Sequence, residues 1–266
     1  MIVENKNNYE VVKYNSINEF YDYICNTPFN YAFRWAEHLS VKSDKKFTGT
    51  KSFKEAVEIM KNGWEDMSKK LTQKLNVVSK DIVFTTKKKS VYDVVGYQAS
   101  VPRYLQGIPT NMIRTINTPV KQKAITIVKS IDYNCGTTTE TIIEESIKAL
   151  TVVKKIEAQG IRVNLDICIG ALKDKNFSLR IRVKNANERL NVSKLAFVMV
   201  HPSMLRRLMF RWIEVYPNIT KSFVGNYGYP SSTKQLLSIL EENEYLLPAF
   251  IKCKVEEIKG FEDLLK

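Results

Sequence analysis

The sequence predicts an α/β protein built on a mixed, mainly parallel sheet with an antiparallel edge hairpin and flanking helices. Three observations carry that prediction. Residues 124–131 (AITIVKSI), the long amphipathic stretch 139–159 and residues 161–169 (IRVNLDICI) read as strand, helix and strand, the unit whose crossover is parallel and right-handed. Residues 177–184 (FSLRIRVK) alternate strictly between apolar and polar side chains, as a half-covered strand does. Nearer the start, SINE (16–19) and SFKE (52–55) carry the Ser-x-x-Glu signature of a capped helix start.

Taken in order, Phe20 and Ile24 follow the first cap, and Phe53, Val57, Met60 and Trp64 follow the second at helical spacing, so both helices present a core stripe. In 139–159, Ile143, Ile147, Leu150, Val153 and Ile156 lie near one face, and Gly160 supplies the left-handed residue that stops the helix. Residues 177–184 are expected to pair antiparallel with 161–169. Phe177, Leu179, Ile181 and Val183 then face the core, while Ser178, Arg180, Arg182 and Lys184 join Arg162, Asn164 and Asp166 on a basic, solvent-facing sheet edge. Such an edge suits protection against strand-to-strand aggregation, or a phosphate backbone. Residues 191–200 (NVSKLAFVMV) read as an almost wholly apolar helix capped by Asn191. A second helix accepts Pro202 in its first turn and ends at Pro217. It places Ser203, Arg207, Arg211 and Glu214 on one stripe with Arg206 at its margin, opposite Leu205, Leu208, Met209, Trp212 and Tyr216, so its arginines are expected in solvent.

The chain of 266 residues is 44% hydrophobic, enough for a real core, and neither a repeat nor a Gly/Ser- or Pro-rich linker divides it. A single domain is expected, with an N-terminal α+β part over 1–120 and a sheet part over 121–266. No apolar run reaches membrane-spanning length, and MIVENKNNYE lacks the pattern of a secretory signal, so the expectation is an intracellular protein without a membrane partner. Cys25, Cys135, Cys168 and Cys253 are scattered, without the close pairs of zinc or redox motifs, and read as free thiols.

The net charge of +13 is regional. Residues 76–129 hold nine Lys and Arg against two Asp and Glu, and residues 169–221 hold eleven against three. Basic patches of this kind suit phosphate backbones or acidic partner surfaces.

Catalytic signatures are missing: the sequence has no Gly-rich phosphate loop, HExxH, GxSxG or CxxC, and only His38 and His201 as histidines. One loop has the composition of a site. In IDYNCGTTTE (131–140), Asp132, Asn134, Thr137 and Thr138 gather between a strand end and a helix start, where open α/β sheets collect ligands. Asp132 with Asn134 could ligate a hard cation, Mg²⁺ or Mn²⁺; equally, these residues build a turn and a helix cap. The layout resembles a degenerate von Willebrand A-type domain, whose strand-end Asp-x-Ser-x-Ser is matched here by Asp132 alone.

GYQASVPRYLQGIPTNM (96–112), IEAQGIRVNL (156–165), LAFVMVHPSMLRRLMFR (195–211) and YGYP (227–230) with LLPAF (246–250) together resemble an uncharacterised family of bacteriophage-encoded proteins. The resemblance implies a place of work, within an infected bacterium or a virion, and no reaction. The regional charge predicts a non-enzymatic protein that binds nucleic acid or a phage nucleoprotein through Lys87, Lys88, Lys89, Arg103, Arg180, Arg182, Lys184, Arg207 and Arg211, with His201 at an anion near a helix N-terminus. The rival expectations are a virion or scaffold component with protein partners, and a metal-dependent module using Asp132.

Overall fold

A computed structural model describes residues 1–29, 39–79, 88–117, 124–170, 176–220 and 230–251. The N-terminal hairpin β1 (Ile2–Lys6) and β2 (Tyr9–Tyr14) turns through Asn7 and Asn8, both at positive φ. The helices α1 (Ile17–Asn26), α2 (Leu39–Lys42), α3 (Lys45–Thr48), α4 (Phe53–Asn62) and α5 (Glu65–Ser79) follow. Ser16 and Ser52 cap α1 and α4 as expected, accepting from Glu19 and Glu55 N–H. The two Glu carboxylates reach one residue further back than in the reciprocal box, to Asn15 and Lys51 N–H.

A small unit comes next, with β3 (Lys88–Asp93), β4 (Gln98–Ala99), α6 (Val101–Leu105) and β5 (Met112–Asn117). The expected βαβ unit is then present as β6 (Ala124–Ser130), α7 (Thr139–Ala158) and β7 (Arg162–Ile169), with Gly160 at φ 83° ending the helix. The antiparallel strand β8 (Asn176–Lys184) and α8 (Val192–Val200), capped by Asn191, also stand where expected. A π-helical stretch, Met204–Met209, runs into α9 (Phe210–Val215), and α10 (Pro217–Thr220), α11 (Thr233–Leu237) and β9 (Glu244–Leu247) complete the order.

Among the described residues the main sheet has six strands in the order β1-β2-β8-β7-β6-β9. Pairings β2·β8, β6·β7 and β6·β9 are parallel; β1·β2 and β7·β8 are antiparallel. The sheet is therefore mixed and mostly parallel, but the hairpin β7–β8 is not at its edge. Strand β2, from the N-terminal segment, pairs with the outer side of β8 and brings it into the interior. One edge is β9; the other is β1, where Glu4 and Lys6 meet Lys13 and Glu241 in ion pairs, the charged protection an edge needs. One sheet recruits strands from both 1–120 and 121–266.

One face of this sheet (Val12, Ile127, Leu165, Ile167, Leu179, Ile181) is buried against Phe20, Ile24, Leu71, Leu150, Val153, Phe197 and Trp212 of the helices. The other face carries Val11, Val128, Cys168 and Leu246 under Leu236 and Ile239. That second cover explains why Ser178 and Arg180 are buried, whereas a bulge at Leu165/Asp166 pairs Lys184 with Leu165 and buries it on the side of α7.

Candidate nucleic-acid interface

Of the eight basic residues described within 169–221, four, Arg180, Lys184, Arg206 and Arg207, are buried. The expectation that the helix arginines lie in solvent is corrected first at Arg207, which is 0% exposed. Its guanidinium donates to the carbonyls of Ser40, Ser43 and Thr50 at 2.8–2.9 Å and to Thr50 Oγ1 at 2.7 Å. On the same stripe Glu214 accepts from Ser40 N–H, and Ser203 Oγ donates to Thr48 O. Short helices leave most of their terminal carbonyls and amides without partners, and this polar stripe supplies them. Arg211, half-buried, donates to Ile24 and Thr27 carbonyls and stacks 3.4 Å over Phe29.

The polar side of β8 is corrected in the same way. Arg180 reaches across the sheet to Glu244 at 2.6 Å and to Ile239 O. Lys184 binds Glu157 at 2.7 Å and donates to Val163 O. Arg182 makes a two-point contact with the buried Asp166 and keeps its side chain 27% exposed. In the other basic segment, Lys129 is fully buried with its amine on Pro248 O and Ala249 O, and burial pushes its pKa down to about 7.

His201 does not present an anion site. It is buried between Phe197 and Trp64, its Nδ1 accepts the Ser203 N–H at 3.1 Å, and burial lowers its pKa to about 4. A neutral ring that already accepts a helix-start N–H has no charge to offer an anion. The other histidine, His38, lies outside the described residues.

The Asp132 loop is likewise occupied by backbone N–H groups. Asp132 Oδ2 accepts from Ser231 N–H at 2.8 Å and Gly170 N–H at 3.3 Å, and burial raises its pKa. Asn134 Oδ1 accepts from Gly136 N–H, and Thr138 caps α7. Both oxygens expected on a cation therefore face N–H donors, and no group of three His, Cys, Asp or Glu side chains suited to a metal occurs among the described residues. What holds the loop is Arg206, a residue the helical wheel left at the margin. Its guanidinium donates to Asn134, Cys135 and Thr137 carbonyls and to Phe47 O, and stacks 4.5 Å over the Phe47 ring.

The charge that does face solvent with aromatic company is on the small sheet, ordered β3-β5-β4 and antiparallel throughout. No side chain described between Lys89 and Ile116 is buried. Tyr97 and Tyr104 are each 67% exposed and Tyr92 is 52% exposed, beside Val94, Val95, Val101 and Leu105. The register puts Lys89 and Arg114 on one face, and Tyr92 with Ile113 on the other. Arg103, from α6, lies 4.3 Å over the Tyr92 ring and is pinned by Thr110 O and Oγ1. Gly96 is required here, because a Cβ at that position would sit 2.2 Å from Ile113 O. Of the expected contacts, Lys89 and Arg103 thus belong to one exposed unit, Lys88 begins its first strand, and Lys87 lies outside the described residues. Arg114 and the three tyrosines were missed; the alternation of KSVYD against MIRTIN was the available signal.

No helix among the described residues is long and apolar enough to cross a membrane. Neither a curated protein nor a solved structure matches the chain. A family model does, over residues 3–263, and the chain belongs to that family, described as a domain of unknown function (DUF7192).

Proposed function

We propose that this protein binds single-stranded nucleic acid through the three-stranded unit, without catalysing a reaction. One observation carries the reading: a sheet that buries none of its described side chains sets Arg103 over Tyr92 on one face and Lys89 with Arg114 on the other. Arg103 beside Tyr92, and Lys89 and Arg114 on the opposite face, where Arg114 also pairs with Asp93 at 3.2 Å, meet phosphates of a strand that wraps the sheet, and Tyr92, Tyr97 and Tyr104 offer rings to unstacked bases. The Arg103–Tyr92 stack is held in place by Thr110 before any ligand arrives, so little side-chain entropy is lost on binding. Duplex DNA, with its bases stacked inward, has no use for exposed rings; a single strand does. The resemblance to phage-encoded proteins supports an infected bacterium as the setting, with the strand a genome intermediate or part of a virion nucleoprotein.

The test is a fluorescence titration with mixed-sequence single-stranded DNA and RNA at low salt. The wild-type chain is expected to bind in the micromolar range. Tyr97→Ala with Tyr104→Ala should weaken it at least about tenfold, since a stacked base is worth about 1–3 kcal/mol. A chain that binds neither strand overturns the proposal. The exposed Val94, Val95, Val101 and Leu105 favour the second reading in that case, a virion or scaffold component that docks an acidic protein partner.

A further inference from the structure

A separate cleft of about 410 Å³ opens where the start of α1, the end of α4, the end of β8 and the exposed side of α8 meet. Its volume falls within the range of small-molecule sites, about 300–1,000 Å³. Three cations, Lys61, Arg182 and Lys194, stand in its wall against one carboxylate, Glu188. Glu188 is turned to its own turn, accepting from Asn185 N–H and Nδ2. Arg182 shares its charge with Asp166, whereas Lys61 and Lys194 have no ion-pair partner among the described residues. Lys61 sits instead 4.2 Å over the Tyr21 ring. The remaining polar wall is amide and hydroxyl, from Asn15, Ser16, Asn18 and Asn185, which donate as readily as they accept.

A second recess of about 300 Å³ shares Val183, Glu188 and Lys194 with the first and adds Lys184 and Arg189. Lys194 therefore stands on the rim between two hollows that together bring Lys61, Arg182, Lys184, Arg189 and Lys194 against the single carboxylate of Glu188. Ile17, Tyr21, Met60, Val183 and Val198 add an apolar wall that suits a ring attached to the charged part of a ligand, and a cation meets repulsion. A compact polyanion fits: several phosphates near one another match lysines on opposite walls, and the amides hold what the phosphates are attached to.

We infer that this cleft binds a small phosphate-bearing polyanion of nucleotide size, with Lys61, Arg182 and Lys194 as its charge-bearing contacts. The site is distinct from the tyrosine-bearing sheet, and its ligand need not be a nucleic acid. The same phosphates are found on a free nucleotide and along an oligonucleotide, so the experiment separates the two. Calorimetric titration of the full chain with inorganic tripolyphosphate, adenosine triphosphate and a single-stranded oligonucleotide is run on three proteins: wild type, Lys61→Gln with Lys194→Gln, and Lys89→Gln with Arg114→Gln. The exposed lysines of the cleft can be replaced without disturbing the core, which an unchanged thermal midpoint verifies.

Tripolyphosphate and adenosine triphosphate should bind the wild type with one-to-one stoichiometry, lose at least tenfold in affinity in the cleft variant, and keep it in the sheet variant. Tighter binding of adenosine triphosphate than of tripolyphosphate identifies a nucleotide, and equal binding an inorganic or other polyphosphate. If only the oligonucleotide binds and the cleft variant weakens it, the cleft is a stretch of a nucleic-acid path and the small-ligand assignment is overturned. No heat with any phosphate probe at low salt, or equal affinity in the cleft variant, removes the site altogether.

Discussion

At the scale of single residues, a polar side chain in this protein is defined by what it ties together. Arg206 and Arg207 are neighbours in the π-helical stretch, yet they serve different elements: Arg206 clasps the loop after β6, and Arg207 fastens α2 and α3. His201, between α8 and the following helix, carries a test of this tight setting. Its folded pKa of about 4 lies below the ordinary value of 6.5, so the unfolded chain takes up a proton that the native chain refuses. Stability is therefore complete above pH 6.5 and falls as the pH drops toward 4, by about 3 kcal/mol if His201 acts alone. Chemical denaturation from pH 7 to 4 should show that fall, and His201→Gln should flatten it. An equal acid slope in the variant would place the titrating group elsewhere. Gly49 belongs to the same contact: at φ 84° it ends α3, and a Cβ there would come within 2.9 Å of His201 Cε1.

At the scale of elements, regular structure was legible wherever periodicity acts locally. The β6–α7–β7 unit, the antiparallel β8 and the caps of α1, α4 and α8 all stand within a residue or two of their sequence-based bounds, because strand alternation and capping depend on near neighbours. The exposure of the polar faces was not legible. Arg180 reads as solvated until β9 and the residues after α11, some sixty residues later, are known to cover it, and Lys184 until a bulge is known to turn it to Glu157 of α7. The second helix appeared amphipathic for the same reason, since α2 and α3 press on the stripe that carries Arg207 and Glu214. In the small sheet, composition fits a core insertion and an exposed loop alike, and Tyr92, Val94, Val95, Tyr97, Val101 and Tyr104 are exposed. Its hinge on local geometry gives a prediction. Gly96→Ala should disorder β4 and β5 by the clash with Ile113 O, abolishing oligonucleotide binding. Because that sheet buries none of its described side chains, the cooperative unfolding of the main sheet should keep its midpoint. Loss of both together would mean that the two sheets fold as one unit.

For the whole molecule, a net charge of +13 is divided between two tasks. Arg180, Lys184, Arg206, Arg207 and Lys129 are spent inside, on carboxylates and on carbonyls at element ends. Other cations stay at the surface, among them those of the tyrosine-bearing sheet and of the cleft beside α8. Within 169–221 the regional charge of the sequence included Arg180, Lys184 and Arg207, which the fold buries, because composition counts a buried arginine and an exposed one alike. The central claim rests on the residues that remain outside, and salt dependence tests it most directly. The affinity for single-stranded DNA is measured against salt for wild type and for Lys89→Gln with Arg103→Gln and Arg114→Gln. Each phosphate contact on a single strand contributes about 0.7 to the slope of log affinity against log salt, so losing three should flatten it by about 2. A variant with the wild-type slope would contradict the proposed interface.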